Sequence, residues 1–255
     1  MTWLSAMIVW LLSPLPYAPA KPNKIIVASD QWCPFFCQKG QNFDGFSVEI
    51  LREALKSEFL EIDYVNASFA RTTFQVENGH WHVQGATDKN FTPNFLIGKV
   101  PVAYSKWVYA AKKSRNWTYQ GIESLKGKKF GAVNGYVYSE SLTLHYKKSE
   151  NRDFIFKLAG ETAQKQMLLM LMSDRVDFIV EDQSVLNYWT KHLGISDEIE
   201  ISGVDSEVAF YPAYRNNDKE AAILAAKIDR GIEAVRNNKP FMNQLIKKYK
   251  IAVWK

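Results

Sequence analysis

Four groups of residues in this 255-residue sequence have the types and spacing to do chemistry. Glu181 and Asp182 are adjacent carboxylates at the polar end of the run Arg175-Val176-Asp177-Phe178-Ile179-Val180. Such a pair could work as a general acid or base, accept a ligand ammonium, or cap a following helix. Cys33 and Cys37 sit in an aromatic loop, Trp32-Cys33-Pro34-Phe35-Phe36-Cys37. In an oxidising compartment they are a candidate disulfide, whereas two thiols without nearby His or further Cys make a poor tetrahedral metal site. His80 and His82 would share one face of a strand and mimic a metal pair, but packing or solvent contact is the expected role. Asn134-Gly135 is a glycine turn between an apolar strand and a helix expected to open at Tyr136 and Tyr138. Backbone N–H groups at such a turn suit a carboxylate or phosphate.

The elements that must position these residues form two α/β units. Ile25, Ile26, Val27 and Ala28 are an apolar, β-branched run ending at Ser29 and Asp30, too short for a typical helix, and read as a buried strand. The aromatic loop follows, and Asp44-Gly45-Phe46-Ser47 leads into Val48, Ile50, Leu51, Ala54 and Leu55 at helical spacing. Ligands in open α/β sheets collect beyond the carboxyl ends of the strands, which makes the aromatic loop a candidate wall of a binding site. The pattern then predicts a strand over 60–65, a helix over 68–78, a strand over 80–85 and a long functional loop over 86–101. Tyr104, Trp107, Val108 and Tyr109 read as a strand leaving the first lobe. Further strands are expected at 130–133 and 175–180, with a helix over 163–172 whose Met167, Met170 and Met172 pack. An extended segment at 207–211 precedes two helices, 218–236 and 240–249. Two α/β units joined by two extended crossings imply two lobes, a cleft between them and hinge closure around a ligand.

Composition excludes several function classes. The chain is 47% hydrophobic and 23% charged, ordinary for a globular protein of one or two domains. Its net charge is +5, yet the basic residues are scattered in short clusters around Lys126, Lys147 and Lys247, which argues against a nucleic-acid partner. Residues 1–20 read as a secretory signal peptide: an uncharged apolar stretch from Trp3 to Leu12, then Ala18-Pro19-Ala20 as a small-x-small cleavage signal before Lys21. No later segment is long and apolar enough to cross a bilayer. Walker, nucleophile-elbow and zinc motifs are absent.

The order of these motifs resembles the periplasmic solute-binding proteins of family 3, which have the type II periplasmic-binding fold, over nearly all of the chain after residue 20. The residues that carry the resemblance are Trp32-Cys33-Pro34-Phe35, Asp44-Gly45-Phe46, Ser124-Leu125-Lys126-Gly127-Lys128-Lys129-Phe130-Gly131 with Gly135, Asp174-Arg175-Val176-Asp177 with Asp182, and the closing helical pair. It implies an α/β, two-lobed fold with a ligand cleft, residues 21–108 and 212–255 forming lobe 1 and 109–211 lobe 2. It implies that Trp32, with Phe35 in the same loop, covers the ligand, that Phe69 is the second aromatic and that Tyr136 lies in the cleft. Ala86 and Thr87 fall where small hydroxyl residues bond the ligand carboxylate, and Asp182 where an acid receives an α-ammonium. The family's carboxylate-clamping arginine has no counterpart: its position is Asn94, no Arg lies between Arg71 and Arg115, and Arg71 is the candidate replacement. His82 also replaces an Asp common in the family.

The function implied is periplasmic capture of a small polar solute, an amino acid or related compound, for ABC-type import. The expected partner is a permease in the inner membrane. The protein is expected to be a monomer without catalytic activity, cofactor, metal or nucleic acid. Two alternatives share the fold: a stand-alone sensor subunit for a membrane receptor, and a dehydratase-like enzyme with Glu181 or Asp182 as its acid.

Overall fold

The apolar run at 25–28 lies within strand β1 (Asn23–Ser29) of the computed structural model, which describes residues 23–40 and 43–255. The expected signal peptide lies outside those residues. Helix α1 (Phe46–Lys56) buries Phe46, Val48, Ile50, Leu51, Ala54 and Leu55, the stripe that its helical spacing predicts. The first unit continues through β2 (Leu60–Asn66), α2 (Phe69–Glu77), β3 (Val83–Thr87) and the short β4 (Leu96–Ile97). Strand β5 (Ala103–Lys112) leads into the second unit: β6 (Phe130–Val133), α3 (Glu140–Lys147), β7 (Ile155–Leu158), α4 (Ala163–Met172), β8 (Phe178–Asp182) and α5 (Gln183–Leu193). The long β9 (Ile199–Tyr214) returns the chain, and α6 (Lys219–Asn237) and α7 (Lys239–Tyr249) close it.

Among the described residues the strands form one mixed sheet in the order β2-β1-β3-β9-β5-β8-β6-β7, with β4 paired to β9. In one half β1 runs parallel between β2 and β3; in the other β6 runs parallel between β7 and β8. Antiparallel β5 and β9 join the halves, paired from Ala103 opposite Phe210 to Lys112 opposite Ile199. Strand β9 also pairs with β3, Thr87 opposite Tyr211, and β5 with β8, Trp107 opposite Asp182. The architecture is therefore α/β and two-lobed, with two extended crossings between the lobes. No helix among the described residues is long and apolar enough to cross a membrane.

Several boundaries differ from the sequence reading, each for a local reason. The turn after α2 runs on through Gly79, at φ +75°, with the backbone N–H groups of His80 and Trp81 both bonded to the Gln75 carbonyl, so β3 starts only at Val83. His80 and His82 thus lie before the strand rather than on one of its faces; His82 Nδ1 accepts the Ile26 N–H at 3.0 Å. No group of three or more His, Cys, Asp or Glu among the described residues is placed to hold a metal. Helix α3 opens at Glu140 instead of Tyr136, because the Val133 N–H donates to the Tyr138 hydroxyl (2.9 Å) and folds the glycine-turn segment back on β6. The expected loop at 86–101 contains the end of β3 and all of β4, and the crossing strand expected at 207–211 begins at Ile199. Met167 and Met170 are buried in the core of the second unit, and Met172 is half-buried.

Candidate functional site

Trp32 is fixed from several directions. Cys33 and Cys37 are joined in a disulfide, with Cα atoms 4.4 Å apart, which closes the aromatic loop. The loop is bonded to the start of α1: Cys37 N–H to Asp44 O at 2.8 Å, Phe46 N–H to Pro34 O at 2.8 Å, and Ser47 N–H to Phe35 O at 3.0 Å. The approach is close at Gly45, where φ is +121° and a Cβ would lie 2.3 Å from Phe35 O, so only glycine fits there. The end of β2 holds the far side of the loop, Tyr64 Oη and Asn66 Nδ2 both donating to Cys37 O. Phe35 stacks on Trp32 with centroids 4.5 Å apart and meets Phe46 edge-on at 6.2 Å.

This scaffold aims Trp32 into a small chamber lined by Asp30, Trp32, Phe69, Ala86, Phe91, Trp107, Tyr136 and Phe210. The rings meet mostly edge to face. Phe69 lies 5.7 Å from Phe91 and 5.8 Å from Tyr136, Trp107 5.9 Å from Tyr136, and Phe210 5.7 Å from Phe91 and 5.2 Å from Trp32. The chamber volume is about 20 Å³, room for a single water-sized body. Its walls come from both units: the ends of β1 and β3, α2 and the loop after β3 on one side, the turn after β6 on the other, and the crossing strands between.

Polar bonds tie the two sides together. The Tyr136 hydroxyl donates to Asp30 Oδ2 at 2.5 Å, and Gln164 Nε2, from α4, donates to the Tyr136 oxygen at 2.9 Å. The Trp32 indole N–H donates to Glu181 Oε1 at 3.2 Å, an oxygen that also accepts the Asp182 N–H at 2.9 Å. The other oxygen of Glu181, Oε2, is buried and has no hydrogen-bond partner. Burial raises the Asp30 carboxyl above the usual carboxylate range, against the lowering effect of the Tyr136 bond. Burial also pushes Glu181 up to about 8, the bonds from Asp182 N–H and Trp32 opposing it. Tyr136 and Tyr138 are raised too, chiefly by burial and then by nearby carboxylates.

Of the residues singled out from sequence, Trp32, Phe69, Ala86 and Tyr136 line the chamber together. Phe35 lies behind Trp32 as its support. Thr87 is buried with its hydroxyl turned to its own loop, donating to Asp88 O and accepting from Thr92 Oγ1. Arg71 is exposed in the first turn of α2 and outside the lining, and Asn94 is exposed as well. Asp182 spends both oxygens on structure: Oδ1 accepts from Ser184 and Val185 N–H, capping α5, and Oδ2 from Ser105 Oγ and Lys106 N–H. Burial raises its carboxyl to about 6, and these bonds limit the rise. Asp30, Phe91, Trp107 and Phe210 were not singled out as site residues. Asp30 carried a signal as the polar end of β1; the other three come from distant segments with no shared motif.

Beyond the Phe91 and Trp107 walls lies a larger cleft of about 540 Å³, whose lining includes Asp88, Glu140, Lys147 and Asp205. Asp205 Oδ1 holds the cleft side of α3 by accepting from Ser139 Oγ and Tyr109 Oη.

Two α/β units, two long crossing strands and a chamber between them define a periplasmic-binding-protein-like structure. An ancestral arginine-binding protein bound to arginine matches this chain with a TM-score of 0.75 at 18% identity, over 90% of this chain and 99% of the other. An amino acid ABC transporter substrate-binding protein from Streptococcus pneumoniae, bound to L-arginine, matches at 0.72 and 19% identity, over 91% and 97%. A histidine kinase sensor domain with similarity to periplasmic binding proteins matches at 0.73 and 13% identity, over 90% and 96%. At these identities the likeness is one of fold. No protein-family model and no curated protein sequence matches the chain.

Proposed function

We propose that this chain is an extracytoplasmic solute-binding protein of the family 3 type, which closes two lobes around a small solute and presents it to an ABC-type permease. The observation that carries the reading is the aromatic chamber built from both units and bridged by Trp32–Glu181 and Tyr136–Asp30. Lobe 1 comprises 21–108 and 212–255, lobe 2 comprises 109–211, and the hinge lies in β5 and β9. Trp32, Phe69, Ala86 and Tyr136 touch the solute, Phe35 braces Trp32, and Asp182 anchors β8 to β5. Arg71 and Thr87 lie outside the chamber lining and do not touch the solute. Arginine bound in fold neighbours supports an amino acid or related compound as the solute. Those neighbours are binding proteins, which supports capture without catalysis. The protein works as a monomer in the periplasm.

A second reading, a sensor subunit using the same chamber, is favoured by the likeness to a kinase sensor domain. A thermal-shift screen against amino acids, amines, organic acids and small peptides tests solute capture. A compound that binds only the folded state adds about 2.7 kcal/mol at a hundred times its dissociation constant. The reading expects at least one such stabiliser, recovered unchanged after incubation. A compound consumed by the protein would contradict the non-catalytic role, and a library without effect would contradict solute capture.

A further inference from the structure

The chamber wall contains six aromatic rings, one alanine and one carboxyl group, Asp30, and no Lys, Arg or His. Aromatic faces attract a cation placed within about 6 Å of the ring centroid, and the attraction grows when water is excluded. Beside Trp32, Glu181 has one oxygen bonded to the indole and the other buried without a partner. A buried carboxyl oxygen in that condition lacks a hydrogen-bond partner. The lining of the larger cleft next to the chamber carries three acids, Asp88, Glu140 and Asp205, and one cation, Lys147. The approach is therefore acidic although the chain as a whole carries a net charge of +5.

The donors in and beside the chamber are already committed to protein carboxylates, the Trp32 indole to Glu181 and the Tyr136 hydroxyl to Asp30. A ligand carboxylate would place a negative charge beside Asp30 and Glu181, whose own ionisation burial already opposes, with no cationic side chain on the wall. Burying a charge without a partner is strongly unfavourable. Arg71 is exposed and outside the lining, so it does not supply that partner.

We propose that the chamber, widened from its one-water volume as the lobes part, takes a compact organic cation that carries no carboxylate, an amine or a quaternary ammonium, held among the rings with Asp30 on the wall and Glu181 behind Trp32 as counter-charges. The inference rests on the solute-binding reading and narrows it to one ligand class. The groups acting on Glu181 are Trp32, Asp182, Asp30, Tyr136 and Tyr138, and those on Asp30 are Tyr136, Ser29, Gln164, Tyr64 and Glu181; none is cationic. With its carboxyl raised to about 8, Glu181 is mostly protonated at pH 7. An arriving cation converts it to the carboxylate, and the proton passes to the buffer.

Titration calorimetry on the protein tests this with a matched set: phenethylamine and choline as cations, phenylalanine as zwitterion and phenylpropionate as anion. The expected result is that at least one of the two cations binds at least tenfold more tightly than phenylalanine and that phenylpropionate does not bind. Its binding heat at pH 7 should vary with the ionisation enthalpy of the buffer, reporting proton release. Glu181→Gln should abolish that variation, and Glu181→Gln and Asp30→Asn, each checked for folding by circular dichroism, should each weaken the cation at least tenfold. Phenylalanine or phenylpropionate binding as tightly as the cations would overturn the inference and leave solute capture standing. So would capture confined to some other class of compound. Both variants keeping full affinity would remove the two acids as counter-charges and overturn it as well. No binding from this set or from the wider screen would overturn solute capture itself.

Discussion

Replacing Glu181 by Gln should change how stability responds to pH. The folded carboxyl titrates near 8 against 4.5 for the unconstrained group. Between those values the folded protein holds a proton that the unfolded chain has lost, so stability is fullest below pH 4.5 and falls as pH rises towards 8. One pKa unit corresponds to about 1.4 kcal/mol. Integrated from pH 5 to pH 8, this group alone removes a few kcal/mol, on the order of 10 °C of melting temperature for a chain of this size. Asp30 and Asp182 are also raised and add loss in the same direction, so the comparison between wild type and variant isolates Glu181. Gln keeps an oxygen to accept the Trp32 indole and the Asp182 N–H, and it does not titrate. Thermal unfolding followed by circular dichroism at half-unit steps from pH 5 to 8 should show wild type falling several degrees more steeply than E181Q. Equal slopes in the two proteins would refute the account of Glu181 as a buried, proton-holding acid.

Three further outcomes are expected. Asp182→Ala strips the cap from α5 and leaves Ser105 and the Lys106 N–H without their acceptor, so urea unfolding should show a loss of about 2–4 kcal/mol; a loss below about 1 kcal/mol would contradict the anchoring role. Gly231→Ala would gain about 1 kcal/mol from helix propensity alone, yet a Cβ there would lie 2.2 Å from the Ala54 carbonyl oxygen. The net result should be a loss of 1–3 kcal/mol, roughly the range for overpacking, and a gain would show that α6 does not press so closely on α1. Arg71→Ala should leave stability within about 0.5 kcal/mol and solute affinity unchanged within roughly twofold, since the side chain is exposed and outside the chamber; a tenfold loss of affinity would restore it to the site.

The strands and helices were legible where one physical signal dominated. The β-branched run of β1 and the apolar stripe of α1 gave element and burial together. Tyr136 and Tyr138 were harder: the glycine turn was visible, but the bond from Val133 N–H to the Tyr138 hydroxyl that delays α3 is a contact across the turn, which no propensity reports. Glu181 and Asp182 differ by one residue on a strand, and alternation of side chains sends them to opposite faces. One face lies beside Trp32 and the other faces Ser105 and the start of α5, a choice that depends on the register of β8 against β5. Phe91, Trp107 and Phe210 converge only because β5 and β9 cross between the units. Their separation in sequence gave no local pattern to read.

Closure around a solute requires the two lobes to move, and an interlobe distance reports that movement. Phe74 on α2 and Leu144 on α3 are exposed, one on each lobe, and no free cysteine among the described residues competes for a label. Spin labels on Phe74→Cys and Leu144→Cys in one protein, with pulsed dipolar spectroscopy, would give the distance distribution with and without the strongest stabiliser from the thermal-shift screen. The expected result is a broad or two-peaked distribution without the compound that collapses to one narrow peak when it is present in excess. A single narrow distribution that the compound leaves unchanged would contradict hinge closure.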